Sequence, residues 1–160
     1  MNQKQWLLLA TLTAALLLVK GSSMSRGIRN NNPGNIRGAS YQWVGEVGRD
    51  NRGFVIFDKP ENGIRAMYRT LGTYRNKYEG LQNVGGKGFD TVHEIINRWA
   101  PPSENNTGAY VAHVASALGV AEHEAIPLEK YGELIKVIIK HENGVQPYSD
   151  EVINAGIAAA

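Results

Sequence analysis

The sequence predicts a mainly helical α+β domain that carries one small β-hairpin. Three observations predict it. Two short runs of aromatic and β-branched residues, parted by turn formers, are the convincing strands. From Pro60 onward the apolar residues change to a spacing of three, four and seven. The regular alternation of strands and helices that a doubly wound sheet needs is missing. The chain has 160 residues, 42% of them hydrophobic and 20% charged, and no cysteine. That length accommodates one domain with its own core, and the absence of cysteine excludes disulfides, zinc ribbons and thiol nucleophiles.

Trp6 to Val19 reads WLLLATLTAALLLV, uncharged and flanked by Lys4 and Lys20. At ~1.5 Å per residue it covers ~21 Å, which snorkelling lysines and the interfacial Trp6 extend toward the ~30 Å of a hydrocarbon core. Residues 1–20 are therefore read as a single-pass membrane anchor in a lipid bilayer. The alternative is a secretory signal, cleaved on export to the periplasm; Lys20 and the lack of an Ala-x-Ala site count against it. Residues 21–25 form a small polar linker, and the domain spans 26–160.

Within the domain, Tyr41 to Val47 and Gly53 to Phe57, separated by GRDNR, are read as the hairpin. Ile64, Met67, Tyr68, Leu71, Tyr74 and Tyr78 then make one buried stripe of a helix from Pro60, with Asp58 as its cap. Thr91-Val-His-Glu94 is a capping box, followed by Val92, Ile95, Ile96 and Trp99 on a core-facing side until Pro101-Pro102 stop the helix. Further helices are expected from Thr107 to Leu118, closed by Gly119, from about Leu128 to His141, with Leu134, Ile135, Ile138 and Ile139 inward, and from Asp150 to Ala159, capped by Ser149. Gly85-Gly86-Lys87-Gly88 lacks the first Gly and the Ser/Thr of a phosphate loop and is read as a flexible connection.

Function classes narrow by chemistry. Outside residues 1–20 the charges balance, 15 basic against 15 acidic, although Met24 to Gly80 is basic and Leu81 to Ala160 acidic. A dedicated nucleic-acid binder would be basic throughout, so nucleic acid is not an expected partner. No Gly-x-Ser-x-Gly occurs. His93, His113, His123 and His141 are scattered, with no His-Glu-x-x-His, so neither a metal nor a cofactor is expected.

What remains is carboxylate chemistry, in which an acid sheltered by apolar neighbours keeps its proton near neutral pH and opens a glycosidic bond. Glu142 suits this role: it ends the apolar helix LIKVIIKH just before Asn143-Gly144, where the macrodipole disfavours the anion. A frayed, exposed helix end is the plainer reading of the same residue. Glu46, beside Trp43, is the alternative catalytic candidate, against the reading of a solvent-facing strand residue. Helix-start support explains Glu61, and loop exposure explains Glu104, without a function. Tyr41, Trp43, Trp99, Tyr110 and Tyr148, interleaved with Asn31, Asn32, Asn35 and Asn105, have the composition of sugar grooves; Trp99 also fits the core, and the asparagines near Pro33-Gly34 also fit turns.

At RGIRNNNPGNIRG, GFVIF and PENGIRAMYRTL, and again at INRWAPPSENNTGAYVAHVASALGV and IIKHENGVQPYSD, the chain resembles virion-associated, lysozyme-like proteins of phages, in particular structural proteins of tailless corticovirus-type phages with an internal membrane. More distantly it resembles the glucosaminidase family of peptidoglycan hydrolases. The resemblance covers roughly Arg26 to Ile157. In glucosaminidases a segment like Asn32 to Gly38 lines the cleft, and the catalytic Glu ends a helix that precedes it. No such helix precedes Asn30 here; IIKHENG looks like that helix moved to the other end of the chain, which implies Glu142 beside the Asn32–Gly38 segment. It also looks like the helix of lysozyme and goose-type transglycosylases that ends at the acid. The resemblance thus implies a lysozyme-like domain anchored in the virion internal membrane, with peptidoglycan as partner and other virion proteins around it. Its activity would be that of a lytic transglycosylase or muramidase, with Glu142 as general acid and Asn32, Asn35 and Tyr148 near the sugar. The alternative it implies is a non-catalytic structural protein of the virion membrane that keeps the scaffold.

Overall fold

The computed structural model describes residues 24–103 and 105–160. The predicted anchor, Trp6 to Val19, most of the linker and Glu104 lie outside them. Among the described residues no helix is long and apolar enough to cross a membrane.

The elements are α1 (Arg26–Arg29), β1 (Glu46–Arg49), β2 (Val55–Phe57), α2 (Pro60–Lys77), α3 (Val92–Trp99), α4 (Thr107–Leu118), α5 (Tyr131–Asn143) and α6 (Asp150–Ala158), with a 3-10 turn, Leu128–Lys130, leading into α5. The domain is mainly helical, with one two-stranded antiparallel hairpin.

The helices begin and end where side-chain chemistry dictates. Thr91 accepts the Glu94 amide while the Glu94 carboxylate accepts the Thr91 amide, the reciprocal box that starts α3. Glu94 is 4% exposed and also takes the Leu81 amide at 2.7 Å, so one carboxylate starts the helix and fastens the loop arriving before it. Gly119 closes α4 at φ +62°, a left-handed conformation that costs glycine little. Ser149 caps α6 through the Val152 amide. Asp58, in contrast, does not cap α2: its carboxylate accepts the Asn62 side-chain amide at 2.7 Å, and Lys59 holds the cap position with no side-chain bond.

α5 is the spine of the core. Leu134, Ile135, Ile138 and Ile139 are fully buried against Ile64, Met67 and Leu71 of α2, Ile95 and Ile96 of α3, Tyr110 and Val114 of α4, and Ile153 of α6. The helix α6 lies so close along α2 that a Cβ on Gly156 would stand 2.7 Å from Ile64 Cγ2. A smaller cluster of Val55, Phe57 and Ala66 seats the hairpin on α2.

The hairpin is displaced from its predicted position. Gly45 adopts φ +76°, the Glu46 amide bonds back to the Trp43 carbonyl, and Tyr41 to Gly45 therefore turn instead of pairing. Pairing runs from Glu46–Phe57 to Arg49–Val55, with an irregularity between Glu46 and Gly48 that leaves Val47 exposed. The Asp50 carboxylate closes the tip by accepting the Arg52 and Phe54 amides. The Gly85–Gly88 connection is a loop that wraps an acid of its own: the Gly86 amide donates to Asp90 at 2.8 Å, and Gly88 sits directly on the Arg75 carbonyl.

Candidate active site

The loop after α1 is built by its asparagines. Asn32 is 1% exposed; its amide donates to the carbonyls of Ile36 (2.8 Å) and Val55 (2.9 Å) and accepts the Ile36 amide (2.9 Å). Asn31 donates to the Phe57 carbonyl, and Asn30 to Asp50. The loop is pressed onto α2 at Gly63, where a Cβ would collide with the Asn31 carbonyl oxygen, and onto α2 and α3 at Gly34, where it would stand 2.7 Å from Met67 and 2.8 Å from Trp99. Asn35 follows with φ +50°, which turns its side chain out of the loop.

The end of α5 meets this loop. Asn143 donates to the Pro33 carbonyl at 2.8 Å and to Ile139 at 2.9 Å and accepts the Ser25 hydroxyl at 2.6 Å, with Gly27 packed against its amide. Gly144 then ends the helix at φ +75°. Asn143 thus ties the start of the domain, the loop and the last helical turn together. Asn143→Ala is expected to lower stability by about 2 kcal/mol, because it strands bonding groups of three segments; urea unfolding should show a lower midpoint with an unchanged slope.

With that clamp in place, the structure brings Glu142 and Asn35 together: the Asn35 amide donates to Glu142 Oε2 at 3.1 Å. The Tyr110 hydroxyl lies 3.4 Å from Oε1, and the Trp99 side chain lines the same cleft. Glu142 is half-buried. Burial raises its carboxyl above the ordinary range; the bonds from Asn35 and Tyr110 favour the anion and offset part of that rise. Tyr110 is pushed far up by burial and by the neighbouring carboxylate, so it stays a donor. The His141 ring stacks on Tyr110 with centroids 3.4 Å apart, and burial and nearby His113 lower its basicity. Asn35 Oδ1 is buried without a partner, so Asn35 holds both a left-handed backbone and an unsatisfied oxygen beside the acid.

Glu142 opens on a cleft of about 240 Å³ lined by Arg26, Asn35, Arg37, Phe54, Trp99 and Asn105 among others. Both Arg26 and Arg37 stack on the Phe54 ring, 4.5 and 4.4 Å from its centroid. Among the described lining residues Glu142 is the one carboxylate; Arg26, on the same lining, pairs with Asp50 at 3.6 Å. A second hollow of about 230 Å³ shares Gly34, Asn35, Arg37 and Trp99 with the first and continues it toward Thr70 and Tyr74. Chemically, the arrangement offers a proton on a sheltered acid, an amide beside it, flat apolar faces and cations along one groove.

The other predicted residues fall elsewhere. The Asn32 amide is buried and engaged within the loop, away from the cleft, where it shapes the turn that carries Asn35. Tyr148 packs against the core, its hydroxyl buried without a partner, and is not a lining residue of the cleft. The Glu46 carboxylate is engaged within the hairpin. Burial alone would raise its carboxyl, but the Trp43 amide and Arg49 at 2.8 Å outweigh it and hold it below the usual range, as a tie within the hairpin. Trp99, whose type suits a groove and whose helix position suits the core, is half-buried and lines the cleft. Arg26, Arg37 and Phe54 were not expected there; the GFVIF and NIRG segments signal strand and turn but not which face their side chains share. The histidines are not all scattered, because His93 and His123 meet with ring centroids 4.6 Å apart.

No family model matches the chain. Protein P5 of Pseudoalteromonas phage PM2 is 38% identical over 151 residues, which covers 92% of this chain and 89% of that protein. So long a match takes in nearly all of both sequences, and the chain belongs to the family of this phage protein.

Proposed function

We propose that the chain is a peptidoglycan-cleaving component of a phage virion, a glycosidase that works with a single acid in the manner of a lytic transglycosylase. The observation that carries this reading is the half-buried Glu142 carboxyl, raised by burial and opening on a groove in which it is the one carboxylate among the described lining residues. Protonated Glu142 donates to the glycosidic oxygen as the bond to the anomeric carbon breaks. The resulting carboxylate then takes the proton of the substrate's own 6-hydroxyl as that oxygen attacks the anomeric carbon, which closes an anhydro ring and restores the acid. Water in place of the 6-hydroxyl gives the muramidase outcome. Arg26 and Arg37 suit the carboxylates of the wall's peptide and lactyl groups, and Trp99 and Phe54 offer faces to sugar rings. Trp6 to Val19 would hold the domain on the virion's internal membrane, close to other virion proteins, so that the wall is opened as the genome enters.

The second reading is a non-catalytic virion membrane protein on the same scaffold. The modest size of the cleft, about 240 Å³, favours it. Digestion of purified sacculi by the full-length protein in detergent, followed by mass spectrometry of the fragments, separates the two. Fragments one water lighter than hydrolysis products are expected; hydrolysed ends would make it a muramidase, and intact sacculi from several hosts would leave the architectural reading.

A further inference from the structure

We propose that His93, Glu122 and His123 form a site for one divalent transition metal of zinc's class, which fastens the connection between α4 and α5 onto the start of α3. The potential ligand atoms of the three side chains all lie within 4.8 Å of one another. The backbone around them is already fixed. Thr91 and Ala125 form an antiparallel bridge, the His93 amide donates to the Glu122 carbonyl at 2.9 Å, and the Ile126 amide donates to the Asp90 carbonyl at 2.8 Å. The two chain segments are therefore pinned on both sides of the cluster, and a metal need not pay to bring them together.

The donor set selects the class of ion. Two imidazoles and one carboxylate suit zinc and its neighbours, whereas calcium and magnesium demand oxygen ligands. A tetrahedral ion with bonds of ~2.0–2.1 Å needs donors roughly 3.4 Å apart. Side-chain rotation closes the remaining gap, since Glu122 and His123 are exposed and His93 is half-buried. Their exposure leaves the fourth position to water. The two imidazoles lie 4.6 Å apart between centroids, tilted by 48°, and among the described residues no side-chain hydrogen bond or ion pair engages either ring or the Glu122 carboxylate. The site is independent of the cleft and of the reaction proposed there.

The test titrates zinc into the untagged full-length protein in detergent, after chelator treatment, and repeats the titration with His123→Ala, Glu122→Gln and His113→Ala. His113 belongs to the other imidazole pair, 5.8 Å from His141 between centroids, and serves as control. One zinc per chain is expected, with a rise in Tm of about 5 °C or more at a hundredfold excess over the dissociation constant and a tetrahedral absorption spectrum when cobalt replaces zinc. His123→Ala and Glu122→Gln should each weaken binding at least about tenfold while leaving the metal-free Tm unchanged; His113→Ala should bind like the wild type. Absence of saturable one-to-one binding, binding that survives both ligand substitutions, or binding lost with His113 would overturn the assignment.

Discussion

Glu142→Gln is expected to slow cleavage of the wall by about a thousandfold, measured as release of soluble fragments, because it removes the proton that the leaving oxygen needs while keeping the shape of the side chain. The same substitution should leave the fold intact, since an amide still meets Asn35 and Tyr110. Stability supplies a second readout with a definite sign. The Glu142 carboxyl titrates above its ordinary value of 4.5 when folded, so the folded chain holds this proton more tightly than the unfolded chain does. The stability contributed by that proton is complete below the unfolded value and is lost as pH rises through the folded one. Gln never ionises and loses nothing. Thermal denaturation should therefore show the variant more stable than wild type at neutral pH and equal to it below about pH 4. Cleavage by the wild type should fall as pH rises through the same folded value, because the acid must begin protonated. If cleavage persisted at full rate in the variant, the proton would come from elsewhere.

A pair of substitutions in one helix should give opposite signs. Gly63 and Gly72 both lie inside α2, where alanine ordinarily stabilises by roughly 0.5–1 kcal/mol. Nothing lies within 4 Å of a Cβ on Gly72, so Gly72→Ala should show that gain. A Cβ on Gly63 would collide with the Asn31 carbonyl and stand 2.9 Å from Pro33 Cδ. Gly63→Ala must push the loop away from α2, at a cost of about 3 kcal/mol. The loop carries Asn35, so wall cleavage should fall with it, by roughly a hundredfold for a displacement near 1 Å. Urea unfolding and fragment release on both variants check the pair, and equal effects at the two positions would contradict the close packing described.

Features set by neighbours in the chain were legible: the Thr91–Glu94 box, the Gly119 stop, the inward face of α5 and the Ser149 cap each need only a turn of helix to declare themselves. The place of Glu142 at the end of α5 was legible for the same reason, and its nearness to Asn35 through resemblance to known hydrolases. What stayed hidden depends on partners far along the chain. The Asn32 amide serves Val55, 23 residues away, so its composition looked like a sugar contact. Trp99 continues a core stripe on its helix, yet it lines the groove, packed against Gly34 of a loop far along the chain. The hairpin slipped because Gly45 turns the chain beside Asn62, a contact with α2 that no strand pattern contains. His93 and His123 meet only because Thr91 pairs with Ala125.

The carboxyl group of Glu142 and the amide that holds it are 107 residues apart, and the Ser25–Asn143 bond spans 118. A site wired across such distant segments has no working half. While the ribosome is still translating, the emerging chain displays the loop but not yet the acid, and any fragment cut short of α5 lacks the carboxyl group on which the proposed reaction depends. Only a chain translated through α5 can close the contact.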